Sequence, residues 1–470
     1  MQKILLFIAS LFYFNFLFSK NEIKSWQGIH ETPLSRLEQQ FAEPPVEFAN
    51  HVIWGWEGKM DKKTICNDLD SIKKKGFRAV IFEAGYKLPF KYLSEEWFKA
   101  IRTGVVEAKK RDMKVWIIDE GKYPSGFAGG KFSQERPDLR MQALVIGDTI
   151  QIKRGEVMTN HKIAPEIISA VAVSTSGAPN RTVEINNGKI SFNAGLDDWK
   201  ILLVKSDFRT AVTRAVNNPN GGKDATNSLC DYLNPVAVQQ FIDWTHKQYK
   251  KYLGKELGTT VLGFRGDEPD YAHLPWTPSI VQTFKDTKGY DPTPYLASFF
   301  TASPTIQEQR VKADYWDVWS SLFATHFFKL QADWCAANGV AHITHLNKEH
   351  EMPACVKAEG DYFRALSKVQ IPGVDAIWNQ IWPSTLNDFP KLASSVAHVY
   401  GKPRAFSESF AAYHISPTIP QAKFVVDHQI ARGINFFEFM FWLAGSKHRN
   451  WMSDPDMKGL NEYTNRTTYL

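Results

Sequence analysis

Cysteine is scarce in this chain of 470 residues. Its four copies, Cys66, Cys230, Cys335 and Cys355, lie far apart with no CxxC pair. That spacing excludes a disulfide scaffold and leaves buried thiols, with at most one bridge, as the reading. Long apolar runs are missing after the first eighteen residues, so no later membrane span is expected. Charge of one sign is nearly absent as an excess: 56 Lys and Arg face 50 Asp and Glu, a net +6. Clusters such as Lys73-Lys74-Lys75 read as a solvated helix face, and no basic-aromatic interleaving suggests a nucleic-acid partner. Also missing are HExxH, GxSxG and a P-loop. The glycine-rich YPSGFAGG (123–130) lacks the Walker pattern and reads as a turn.

What is present is a globular, aromatic-rich composition, 43% hydrophobic with 15 Trp and 32 Phe. Lys3 is followed by an apolar stretch, Ile4 to Phe18, with the shape of a secretory signal and too short for a comfortable span. Residues 1–19 are therefore expected to be a signal peptide. The mature protein is expected to be periplasmic or secreted and not held in the membrane. An uncleaved anchor is the alternative.

From residue 20 a beat repeats: a short apolar run, polar residues, then an amphipathic helical stretch. The runs are HVIWGWEGKM, FRAVIFEAGY, MKVWIIDEGKYPSG, TTVLGFRGDEPD, GVAHITHLNKEHE, VDAIWNQIW, PRAFSESFAAY and GINFFEFMFWLAG. Asp61, Ser94 and Pro235 mark helix starts between them. Eight such units predict a (β/α)8 TIM barrel. The rival, a doubly wound sheet, would want a glycine fingerprint after its first strand, and none is there. Residues 141–226 break the beat with alternating strand-like runs and NNG and NPNGG turns, and predict a separate β-rich insertion after strand three. The barrel is thus expected over 20–140 and 227–470. The last segment, NEYTNRTTYL, reads as a truncated eighth helix.

In such a barrel the segments after the strands build the site. The first contributes Trp54, Trp56 and Glu57, the second Glu83, the third Asp119, Glu120 and Tyr123. The fourth carries Asp267 and Glu268, the fifth His345, Glu349 and Glu351. Asn379, Glu408 and Glu438 follow on the last three. Any one acid there could be a solvated loop residue. Carboxylates and aromatics converging from most strands suit a sugar, because rings stack on sugar faces and hydrolysis needs two carboxyl groups in opposite protonation states. Glu268, beside Asp267, is the expected general acid, since a neighbouring negative charge disfavours a second one. Glu408 is the expected partner. Asp267, Glu120 and Glu349 compete for these roles. Failing that, those three are expected to bind substrate together with Trp54, Trp56, Glu83, Asp119, Tyr123, His345, Asn379 and Glu438.

These segments resemble the glycoside hydrolase family 106 α-L-rhamnosidases. The likeness is carried by FAEPPVEFANHVIWGWEGKM, GFRAVIFEAGY, VWIIDEGKYPSGFAGG, GFRGDEP, PGVDAIW, SSVAHVYGKPRAFSESFAAY and ARGINFF, over roughly 41–445. The resemblance implies a (β/α)8 catalytic domain, an oligosaccharide or polysaccharide substrate and inverting hydrolysis, with the acid at Glu268 and the base at Glu408. It also implies a calcium ion at the sugar site, without ligands assigned. Thr344-His345 stands where the family has Gly-His, and Gly266 stands where a hydroxyl residue is expected. A related enzyme for another sugar, and a non-catalytic carbohydrate-binding barrel, are the competing readings.

Overall fold

The structure is a computed structural model. It describes residues 32–470 apart from 122, 210–212, 215–222, 225–227, 270, 272–273, 446 and 449. The expected signal segment lies outside the described residues. Among the described residues no helix is long and apolar enough to cross a membrane.

Eight parallel strands close into a barrel. They are β1 (His51–Trp56), β2 (Ala79–Ala84), β3 (Lys114–Ile118), β4 (Val261–Gly266), β5 (Ala341–Thr344), β6 (Ile371–Ala376), β7 (Phe406–Ser409) and β8 (Phe436–Leu443). Each pairs with the next, and β8 pairs with β1, so this is the predicted (β/α)8 architecture. The helices start where local chemistry puts them. Asp61 accepts from Thr64 N at 2.9 Å, Ser94 from Trp97 N at 3.3 Å, and Asn234 from Val236 N at 3.0 Å just before Pro235. The helix Met457–Tyr469 docks on the first unit, where Asn465 accepts from Asn50 N at 2.7 Å.

Successive side chains of a strand face opposite sides, and here that separates two cores. Ile53, Ile81, Trp116, Leu262, Ile343, Ile371, Phe406 and Phe436 fill the barrel interior. Val52, Val80, Val115, Phe264, Val374 and Phe437 face outward into a much larger core under the helices. The interior leaves no room for a side chain at Gly263. A Cβ there would lie 2.2 Å from Ala341 O and 2.4 Å from the Trp116 ring. Next to it the β4–β3 pairing slips, between Val261 and Gly263.

The insertion is built from strands Gln142–Ile152, Val157–Lys162, Ile167–Ser174, Arg181–Thr182, Lys189–Asn193 and Trp199–Phe208, outside the barrel sheet. One face carries its own small core around Ile152, Phe192, Trp199 and Ile201. The expectation of a separate lobe needs revision. Pro275–Trp276, from the segment after β4, adds a strand alongside Gln142–Ile152, and Leu144, Val171, Leu202 and Val204 join the main core. One face of the sheet is thus covered by the barrel's flank and the other by the insertion's own residues. The four thiols are unbridged, with Cys230, Cys335 and Cys355 buried.

Gly263→Ala is expected to lower stability by roughly 1–3 kcal/mol, the usual cost of forcing atoms into a packed core. Denaturant unfolding measures it. An unchanged midpoint would show that β4 and β5 can move apart freely.

Candidate active site

β6, β7 and β8 put three carboxylates side by side. Asp375 pairs with Glu408 and Glu408 with Glu438, residue for residue in the ladder. All three share the parity of the interior residues Ile371, Phe406 and Phe436, so they stand just above the apolar filling of the barrel. Asp267 and Glu268 arrive from the end of β4. Such a concentration of buried acids needs a cation.

Arg265, fully buried on β4, supplies it. Its Nη1 lies 2.6 Å from Asp267 Oδ1 and its Nε 3.1 Å from Glu438 Oε2, while Nη2 reaches Glu408. Burial opposes its charge, and the Asp267, Glu438 and Glu408 carboxylates overcome that and hold the guanidinium well above its usual range. Nη2 also lies 2.8 Å from His345 Nε2. His345 Nδ1 donates to Leu346 O at 2.8 Å, and Glu349 accepts from Leu346 N at 3.0 Å. Burial and the Arg265 charge oppose a second ring proton, and the Asp267, Glu349 and Glu408 carboxylates overcome them and hold the imidazole well above its usual range.

The two adjacent acids of β4 are thereby made unequal. Burial works against the Asp267 charge, yet Arg265 and then His345 hold its carboxyl well below the usual range. Its backbone is fixed too: Asp267 N donates to Ser125 Oγ at 2.7 Å, and Ser125 N donates to Asp267 O at 2.8 Å. Glu268 is partly exposed, and burial with the Asp267 charge beside it pushes its carboxyl up to about 8. Among the described residues no hydrogen bond or ion pair occupies it. Its φ of 38° is a rare value for a side chain of this kind, and Pro269 follows directly.

Other expected site residues turn out to shape the walls. Burial raises Glu120 to about 8, against hydrogen bonds from the backbone N–H groups of Gly121 (2.6 Å), Ala128 and Gly129 (3.0 Å). Those bonds fold the YPSGFAGG loop around the carboxyl. Asp119, raised by burial to about 7, accepts from Ser125 Oγ at 2.7 Å. Asn379 accepts from His414 N at 3.0 Å and ties the segment after β6 to the one after β7. Glu438, raised by burial to about 7, stands fully buried behind Arg265. Glu83 points inward beside Gly55, and Tyr123 is partly exposed beside Pro124. Glu351 lines a neighbouring groove of about 1160 Å³ with Trp316 and Lys348.

Trp54 and Trp56 require correction. Both are fully buried on the outer side of β1, where Trp54 Nε1 donates to Asp68 at 3.2 Å and Trp56 packs against Trp97 and Phe82. Ile53 is the inward residue of that strand, so its two neighbours in the tryptophan parity face the helices and cannot meet a sugar. An exposed tryptophan stands instead at Trp378, in the segment after β6. Arg265 and Asp375 were also missed as site residues. Asp375 was readable from the alternation of Ile371, Gly373 and Asp375. Arg265 was not, because the slip beside Gly263 changes the parity of β4.

With this geometry in hand, the sequence pattern of the alpha-L-rhamnosidase family, glycoside hydrolase family 106, matches residues 162–444. The chain belongs to that family. The barrel also superposes on a rhamnosidase from Novosphingobium sp. PP1Y with a TM-score of 0.69 at 15% identity, over 93% of this chain and 60% of that one. A Formosa agariphila protein named "Putative beta-glucuronidase" is 23% identical over 90% of this chain and 39% of its own length. The chain thus spans less than two thirds of the length of each of these relatives.

Calcium was expected at the sugar site. The donor set suits a hard cation in one respect: buried carboxylate oxygens exceed their donors, and Asp375 Oδ1, Asp119 Oδ2 and Glu438 Oε1 have no hydrogen-bond partner. Asp375 is the residue at the mouth that would hold it. Burial and the Glu408 charge push its carboxyl well above its usual range, and a cation would relieve both.

Arg265→Met is expected to cost roughly 3–5 kcal/mol, the price of leaving buried charges unpaired. The loss should shrink at acidic pH, where the orphaned carboxylates take up protons. Denaturant unfolding at several pH values tests this, and a pH-independent loss would assign the effect to packing.

Proposed function

We propose that this chain is the catalytic barrel of an exported, exo-acting glycosidase that removes terminal α-L-rhamnose from plant or algal polysaccharide. The observation that carries the reading is the unequal treatment of Asp267 and Glu268, one ion-paired to Arg265 and the other unengaged. Family membership supports the sugar, and the apolar stretch after Lys3 supports export. The glucuronidase name of one relative favours a second reading, the same chemistry on another sugar. Aryl α-L-rhamnoside and aryl β-D-glucuronide assayed side by side separate the two.

In this mechanism Glu268 gives its proton to the glycosidic oxygen as the bond to the anomeric carbon breaks. Glu408 takes a proton from the attacking water, and the anomeric configuration inverts. Arg265 and His345 orient Glu408, and Arg265 keeps Asp267 from sharing the proton of Glu268. Trp378 offers a ring face for the sugar. A calcium ion at Asp375 would bind sugar hydroxyls and neutralise the crowded acids.

Glu268→Gln should lose roughly 10²–10⁴-fold on glycosides with poor leaving groups and much less on activated aryl ones. Glu408→Gln should lose a similar factor on both, because the water needs its base whatever leaves. Near-normal hydrolysis of a poor leaving group by the first variant would pass the acid role to Asp267 or Glu120.

Treatment with EGTA should lower kcat/KM, and calcium should restore it. Full activity after EGTA would remove the ion from the mechanism.

A further inference from the structure

Behind β4 and β5, on the side facing the helices, three metal-ligating side chains meet away from the carboxylates. They are His246 at the start of the helix His246–Leu253, Cys335 on the helix Lys329–Ala337, and His342 on β5. All three are buried, and one ligand atom from each lies within 4.8 Å of the others. The surroundings are apolar: the His246 ring sits 4.2 Å from the Phe264 ring and 5.3 Å from Trp334. His342 packs against Gly266, where an added Cβ would lie 3.2 Å from its Cε1.

The hydrogen bonds leave these imidazoles unsatisfied in an informative way. Thr245 Oγ1 gives its single proton to Phe241 O at 2.7 Å, so toward His246 Nδ1, 2.9 Å away, it can only accept. Nδ1 therefore carries the ring proton, and Nε2 presents a lone pair with no donor. His342 has no partner on either nitrogen. Buried polar atoms are almost always bonded, so two imidazoles with unpartnered nitrogens beside a buried thiol need an explanation. An imidazole whose far nitrogen is fixed by a hydrogen bond is also how protein metal ligands are commonly held.

We propose that His246, Cys335 and His342 bind a structural zinc ion that fastens two helices to the strands carrying the active site. Two neutral imidazoles and a thiolate suit zinc among the divalent ions, and Gln331, one turn before Cys335, offers a fourth donor through an Oε1 that has no partner. As the zinc–sulfur bond forms, the Cys335 thiol releases its proton to solvent, while the histidines release none. The ion is distinct from the expected calcium, which would sit among oxygens on the opposite side of the sheet.

The test is metal content, which leaves the glycosidase reading untouched. Full-length protein produced with zinc in the medium should retain one zinc per chain after EGTA and desalting, and Cys335→Ser should lose it. Protein produced with cobalt instead should show a thiolate-to-cobalt charge-transfer band, which the carboxylate site cannot give. This second reading stands on the unmodified chain should the variant fail to fold. Absence of stoichiometric zinc, or a cobalt form without the thiolate band, would overturn the proposal.

Discussion

The site depends on one charge-compensation problem. A barrel interior solvates charge poorly, yet at least four carboxylates converge at its mouth. Arg265 answers this with a planar cation whose separate nitrogens reach Asp267, Glu408 and Glu438, which come from β4, β7 and β8. A lysine in its place would present a single point charge and could not serve three directions at once. The partition of roles follows: acids bonded to the guanidinium are fixed, and Glu268 stays outside its reach. Ser125, the Glu120-bound loop and the Glu349–Leu346 contact then hold the walls around that arrangement.

Much of this was legible in the sequence. Strand-terminal acids and helix-start residues such as Asp61, Ser94 and Pro235 announced the barrel units, and the spacing of Phe406 from Glu408 and of Phe436 from Glu438 is compatible with one inward face. The first strand misled for a physical reason. HVIWGW is apolar throughout apart from His51, so nothing in it distinguishes the face toward the barrel axis from the face toward the helices. Arg265 was hidden by the slip at Gly263, a property of strand pairing rather than of composition. The insertion was visible as strands, but its shared edge with Pro275–Trp276 is a long-range contact that no local pattern encodes.

The insertion and the barrel therefore are not independent layers. The segment that bears Glu268 leaves the barrel at Gly266 and joins the insertion's sheet at Pro275. Apolar residues from both parts merge into one core, so the lobe contributes to holding the acid-bearing segment as well as to the surface around it.

The row of Asp375, Glu408 and Glu438 has a consequence for how such a chain can vary. Their alignment comes from the hydrogen-bond ladder, so a one-residue insertion or deletion within β6, β7 or β8 would swing a carboxylate into the oily layer under the helices, and in β7 or β8 it would also strip the arginine of a partner. Misregistered conformers are penalised by the same buried carboxylates that line the candidate site. Carboxylates placed this way act as a proofreading device for strand alignment, because only the paired register keeps them on the polar side of the barrel.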